Sequence, residues 1–277
     1  MCRFVVALWV LCSAAVAHAR ANDVNLTGLV LRSSRTTFNR NFHTPLFRQL
    51  ATELGLAIAP VLSDPAETTG ALGFDIGFST AVTNINETAD YWRFVRRGTE
   101  TVDSALALTS MHVRKALPFS FELQGTAGWL AGSEMFAVGL QVKWSLNEGF
   151  YYIPDVAIRG SVNVGIGSRD MQIVTAGFDL SISKSFGLGG VASLTPFTGY
   201  NLLIINASSH VLDPTPEEAS DIEKNFVFAP ETLIAHRFFV GLRFKTYFVA
   251  LTAAVELAFA DNIPFSQSYV GRLSFDF

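Results

Sequence analysis

The stretch MFAVGLQVKWSL, residues 135–146, alternates from Phe136 onward without a break. Phe136, Val138, Leu140, Val142 and Trp144 share one parity; Ala137, Gly139, Gln141, Lys143 and Ser145 share the other. A period of two is the mark of a β-strand with two unlike faces. Two architectures use such a strand. In a soluble sandwich the bulky face packs on a second sheet and the charged face meets water. In a membrane barrel the bulky face meets lipid and the charges turn inward.

The same period runs outward in both directions, from Gly70 to the last residue, Phe277. Upstream it carries FDIGFSTAV, with Phe74, Ile76, Phe78 and Val82 in phase, then LALTSMHVRKALP and FSFELQGTAGWL. Downstream come DVAIRGSVNVGIG, QIVTAGFDLSIS, ASLTPFTGYNLLI, AHRFFVGLRFK and FVALTAAVELAF, then YVGRLSFDF at the end. The pattern predicts about ten strands, within a range of eight to twelve, each near the length that crosses a bilayer when tilted.

The charges test the two architectures. With each strand's bulky residues facing out, Asp75, Glu122, Lys143, Arg159, Asp179, Arg237, Arg243, Lys245, Glu256 and Arg272 all take the inner face. Arg114 joins them if Met111 and Val113 point out. Lys184 breaks the parity, at a strand end where a long side chain snorkels. Gly73, Gly77, Gly128, Gly139, Gly165 and Ser181 share the charged face. Small residues are a poor coat for a solvated sheet but suit a narrow interior crowded with paired charges. The expectation is a lumen charge network built from those eleven residues. A structural ion-pair network is favoured over a narrow polar pore, because a barrel this small has room mainly for side chains.

The connections agree. Short links at Lys115–Pro118, Lys184–Gly190 and Lys245–Tyr247 alternate with others that include two long polar loops, 84–103 and 207–231. Numbering strands from Phe74 puts both long loops at one end, the arrangement of short inner turns and longer outer loops. NEGFYYIP, 147–154, is the one longer inner turn.

Composition fits. Of 277 residues, 49% are hydrophobic and only 16% charged, against about 25% in an average globular chain. Phe, with 24 copies, and Gly, with 21, favour strands and turns. A net charge of −4 gives no reason to expect nucleic acid as a partner. Residues 1–19 have Arg3, an apolar run from Phe4 to Val16 and an Ala17-His18-Ala19 cleavage pattern, which predicts a signal peptide. Both cysteines, Cys2 and Cys12, fall inside it, so the mature chain is expected to have neither disulfide nor thiolate metal ligand.

Residues 20–69 form an N-terminal segment, expected on the periplasmic side of the barrel that spans 70–277. Within it, Thr44 as N-cap and Pro45 at the first helical position predict a short amphipathic helix over about 45–55. Leu46, Phe47, Leu50, Ala51 and Leu54 make its apolar face, Arg48, Gln49, Thr52 and Glu53 the other, and Gly55 a stop. Capping the periplasmic mouth or lying on the inner leaflet is expected of it, rather than plugging the lumen. SDPAETTG, 63–70, reads as a turn.

With the signal pattern and the alternating region in hand, the chain resembles a Gram-negative outer-membrane β-barrel protein, a small OmpA-type or porin-like barrel of no assigned subfamily. The most specific piece is the terminal strand. Tyr269, Leu273, Phe275 and Phe277 match the signal that the barrel assembly machinery reads in that family; Gly271 is a departure where a larger apolar group is usual. The resemblance implies an all-β, antiparallel up-and-down transmembrane barrel in the outer membrane, with lipid, lipopolysaccharide and the assembly machinery as partners.

No catalytic, cofactor or metal constellation emerges. His210 lies near Asp213 but in a long loop; His112 and His236 are expected toward the periplasmic end. YWRFVRR, 91–97, is expected as an interfacial aromatic belt or as a contact for lipopolysaccharide phosphates. The expected function is structural or narrow-channel passive transport. Surface binding or adhesion through loops 84–103 and 207–231 is the alternative, and an outer-membrane enzyme is third.

Overall fold

A computed structural model describes residues 22–31, 40–70, 72–95, 103–212 and 227–277; the signal pattern of residues 1–19 lies outside them. Among the described residues there are eleven strands and three helices, two of the helices before the first strand and one between the first two strands. The strands are β1 (Phe74–Asn84), β2 (Ala105–Leu117), β3 (Phe121–Leu130), β4 (Phe136–Asn147), β5 (Asp155–Ile166), β6 (Met171–Ser183), β7 (Phe186–Leu188), β8 (Ala192–Ser209), β9 (Glu231–Thr246), β10 (Val249–Ala260) and β11 (Ile263–Asp276). The helices are α1 (Thr27–Leu31), α2 (Arg40–Ala57) and α3 (Asp90–Val95).

Ten strands close into an up-and-down antiparallel barrel. Each pairs with its sequence neighbours, β6 pairs with β8, and β1 pairs with β11 to shut the ring. The three-residue β7 is a spur on the start of β8. Closure leaves no free edge among the ten barrel strands, the condition for strands to sit in hydrocarbon. The alternation of β4 is realised as written: Phe136, Val138, Leu140, Val142 and Trp144 are exposed on the outer wall, while Ala137, Gln141, Lys143 and Ser145 are buried. The long connections, 85–104 and 210–230, leave from one end and the tight turns at 118–120 and 247–248 from the other.

The N-terminal segment departs from expectation. Helix α2 starts before Thr44 and carries Pro45 inside it. It sits within the long-loop mouth rather than against the turn-end mouth. Phe47, Leu50, Ala51 and Leu54 are buried there with Leu106, Leu130, Ile173, Ile205 and Leu233 from the surrounding strands. Phe47 stacks on Phe228 with ring centroids 4.7 Å apart. Gly55 is not a stop. It is where the helix meets the wall, since a Cβ there would lie 2.5 Å from Ile205 Cγ2. Of the nominally polar face, Thr52 and Glu53 are buried, Glu53 beneath Tyr91 and Trp92 of α3, while Arg48 stays exposed.

From Ile58 the chain runs down the lumen to Gly70 and enters β1 at the turn end. SDPAETTG, expected as a turn, is instead part of this lumen segment, with Ser63, Asp64 and Ala66 buried inside the barrel. Such a barrel is expected to have room mainly for side chains, yet this lumen also holds backbone, for a reason visible on the wall. The small inward residues leave room for a strand's worth of backbone. A Cβ at Gly165 would lie 2.9 Å from Ile58 Cδ1, and one at Gly139 would collide with Asn163, which holds the Ile58 carbonyl.

Candidate functional site: the occupied lumen

The lumen segment has no regular partner strand, so its buried backbone groups must find side chains. They do so level by level. Near the long-loop end Asn163 Nδ2 donates to Ile58 O at 2.9 Å. Next, Arg237 donates to Pro60 O from Nη1 (3.1 Å) and Nη2 (3.2 Å), and Leu62 N donates to Glu256 Oε1 at 2.8 Å. Below Asp64, Ala66 N donates to Ser183 Oγ (3.0 Å) and Ser145 Oγ donates to Ala66 O. Lys143 Nζ reaches Glu67 O at 2.8 Å. At the turn end Thr68 N donates to Glu148 (2.9 Å) and Thr69 N to Glu122 (3.0 Å). The wall's charged residues therefore bind backbone as well as one another.

The side-chain ion pairs form a central cluster around Asp64, with the Arg237–Glu256 pair and an Arg243–Asp276–Lys245 group beside it. Arg114 contacts Asp64, Asp75 and Glu122; Lys143 meets Glu122 at 2.9 Å. Arg159 bridges Asp179 (2.9 Å) and Asp64 (3.4 Å). Arg237 meets Glu256 at 3.0 Å. Arg272 contacts Asp64 and lies 3.3 Å from Asp75. Arg243 contacts Asp276, and Lys245 Nζ lies 2.8 Å from the same carboxylate. Of the eleven residues marked in the sequence, ten are buried within the barrel; Lys245 is different, with its side chain 35% exposed at the turn-end rim. Because buried charges need partners, the arrangement is a set of mutually required groups rather than a row of free binding residues.

Three members escaped the sequence. Asp64 accepts from three arginines and lies in a Pro-flanked stretch with no periodicity to mark it. Asp276, second from the end, follows the inward parity of Arg272 and Ser274, which was the available signal. His112 faces inward and its Nε2 lies 2.8 Å from Asp75 Oδ1, among carboxylate and guanidinium groups.

The long-loop mouth holds a second buried acid. Glu53, on α2, accepts from Tyr91 Oη at 2.8 Å, from Trp92 Nε1 and from Asn86 N. Burial lifts its carboxyl above the ordinary value, while the bonds from Trp92 and Tyr91 pull the other way. Burial, then the Glu53 charge, pushes the Tyr91 hydroxyl upward. Tyr91 and Trp92 are thus neither an interfacial belt nor a phosphate contact; both are buried against α2, because they supply donors to Glu53. Arg96 and Arg97 lie outside the described residues.

Among the described residues, His210 and His236 sit apart from the lumen charges. His210 Nδ1 lies 2.7 Å from Arg169 O, and Asp213 is outside the described residues. His236 is not at the turn end: it lies on the outer wall opposite Phe259, toward the long loops, with Nδ1 2.6 Å from Tyr200 Oη. Lys184 donates to Phe150 O (2.6 Å) and Ile153 O (3.0 Å), which fixes the longer 148–154 turn. A void of about 20 Å³ beside Ser63, His112 and Arg272 has room for about one water.

No protein-family model and no curated protein matches the chain. Among solved structures it is similar to Ail, the attachment invasion locus protein of Yersinia pestis, at 12% identity over 75% of this chain and 100% of that one, with a TM-score of 0.30. It is also similar to the KdgM porin, crystallised with disordered oligogalacturonate, at 9% identity over 73% and 99%, with a TM-score of 0.33. A third likeness is the N-terminal β-barrel domain of Pseudomonas aeruginosa OprF, at 10% identity over 73% and 97%, with a TM-score of 0.30. The strand pairing of this chain, not these distant likenesses, defines its fold.

Proposed function

We propose that the protein is a structural outer-membrane barrel sealed by its own N-terminal segment. One observation carries this reading: Ile58 to Thr69 occupies the lumen and is tied to the wall at every level from Asn163 to Glu122. The exposed Phe, Val, Leu and Trp of the outer wall suit lipid, and the terminal strand, with Tyr269, Leu273, Phe275 and Phe277 facing outward or into the seam, suits recognition by the barrel assembly machinery. Conduction through the resting protein is then far below that of an open porin. Single-channel recording of the full chain in planar bilayers tests this. Rare, small openings are expected; a large, steady open pore defeats the proposal.

Surface binding is the second reading, favoured by how the long loops begin and end. The first is held down by buried Trp92, the second by Phe228 stacked on Phe47. Anchored bases would present the residues between them at a fixed mouth. Replacing 213–226 with a short linker should leave barrel assembly intact and abolish any cell or ligand attachment; attachment that survives removes this reading.

A further inference from the structure

Asp64 stands at the crossing of three wall strands. Its Oδ1 contacts Arg114 Nη2 and Arg272 Nη1, and its Oδ2 lies 3.4 Å from Arg159 Nη1. The three arginines come from β2, β5 and β11, so closure of the barrel brings them together, not local sequence. All three are buried. Among the described lumen residues, six buried wall cations face five ion-paired wall carboxylates: Arg114, Lys143, Arg159, Arg237, Arg243 and Arg272 against Asp75, Glu122, Asp179, Glu256 and Asp276. The sixth carboxylate belongs to the segment that fills the lumen. Without it the ion-paired wall residues around the crossing, Arg114, Lys143, Arg159 and Arg272 against Asp75, Glu122 and Asp179, are one positive charge in excess. Arg159 also keeps Nη2 buried without a hydrogen-bond partner, a donor that Asp64 does not use. Convergent guanidinium forks are suited to planar or tetrahedral oxyanions, which accept several charge-assisted bonds at once.

We propose that Arg114, Arg159 and Arg272 form a lumenal oxyanion site, for a carboxylate or phosphate group, that Asp64 fills from within. The lumen segment is then an autoinhibitory strap: its carboxylate is an internal ligand, and its removal exposes a site of the opposite charge. Ser63 and Arg272 also line the small void, which has room for about one water near the site.

Asp64→Ala removes a carboxylate of the size of formate and leaves the rest of the strap in place. Full-length unaltered, Asp64→Ala and Asp64→Asn proteins are folded in detergent in sodium chloride, sodium formate or sodium phosphate at equal ionic strength. The temperature at which the heat-modifiable gel band converts is the readout. In chloride, Asp64→Ala should convert about 10 °C below the unaltered protein. Formate should restore most of that loss in a saturable manner, and phosphate should act in the same direction. The unaltered protein and Asp64→Asn, whose amide fills the space, should not respond to formate. Assembly of Asp64→Ala only in formate or phosphate would equally support the site. Equal anion responses in all three proteins would overturn it. So would failure of Asp64→Ala to assemble in every salt, because the anion would then not have replaced the carboxylate. Conductance of the unaltered chain tests the seal, and the anion response of the variant tests the site, so the two can fail separately.

Discussion

Phe74 and Phe277 exchange both backbone hydrogen bonds, Phe74 N to Phe277 O at 2.9 Å and Phe277 N to Phe74 O at 2.7 Å. The last residue of the chain is thus a rung of the ladder that closes the barrel, beside the first residue of β1. Its side chain is 71% exposed on the outer wall and stacks on Phe248, with centroids 6.4 Å apart.

Deleting Phe277 should therefore do more harm than changing it. Deletion removes the rung and leaves the Phe74 amide and carbonyl unpaired at the seam, where each unsatisfied group costs several kcal/mol in hydrocarbon or about 1–3 in a wetter setting. Phe277→Ala keeps both bonds and loses only outer-wall apolar contact. The assembled fraction, read as heat-modifiable mobility of membrane-inserted protein, should fall in the order unaltered, Phe277→Ala, deletion. Equal behaviour of the two variants would show that the side chain, as an assembly signal, outweighs the seam.

Arg237 and Glu256 hold the strap as well as each other. Arg237 binds Pro60 O and Glu256, and Glu256 binds Leu62 N. Arg237→Met strands a buried carboxylate and should cost roughly 3–5 kcal/mol. The double variant Arg237→Met/Glu256→Met removes both charges and should recover part of that loss, but not all, since Pro60 O and Leu62 N remain without these partners. Urea titration of the refolded barrel measures it; a double variant no better than the single one would mean the backbone contacts dominate.

Much of the barrel could be read from parity, because a strand with lipid on one side and chain on the other leaves a mark at every second residue. Lys143, Arg159 and Arg272 declared their direction in this way. The strap could not be read so. Ile58 to Thr69 has no pairing strand, hence no period, and its prolines and small residues look like any loop. Its evidence was displaced onto the wall, in Gly139 and Gly165, whose missing side chains make way for it. Those glycines suggested a narrow interior but not what occupies it. Glu53 was misplaced for a related reason. Helical periodicity places Glu53 on the polar face, and α3, which buries it there, comes from a distant loop.

Gly55 gives the third prediction. Its backbone approaches Ile205 so closely that a Cβ would lie 2.5–3.0 Å from three side-chain carbons of that residue. Gly55→Val should push α2 away from β8 and cost about 1–3 kcal/mol as overpacking, less any gain in helix propensity. Adding Ile205→Ala should return part of the loss by opening the space. Protection of the α2 amides from hydrogen exchange is the direct measure; undiminished protection in Gly55→Val would show that the wall yields instead.

The clasp between α2 and α3 should respond to pH through Glu53. Its carboxyl is raised in the folded state from an ordinary value of 4.5, with burial as the largest cause. A raised acid binds its proton more tightly when folded, so its contribution to stability is fully present below the unfolded value and is lost as pH rises through the folded one. Docking of α3 onto α2 should therefore strengthen on acidification from neutral toward pH 4.5. Glu53→Gln isolates the effect: it removes the titrating proton while keeping an acceptor for Trp92 or Tyr91. Trp92 Nε1 donates to the carboxylate, so indole fluorescence and its quenching by acrylamide report the clasp. The unaltered protein should become less quenchable as pH falls from 7 to 5, and Glu53→Gln should show no such change. The reverse slope would mean that the three donated hydrogen bonds outweigh burial and hold Glu53 as the anion.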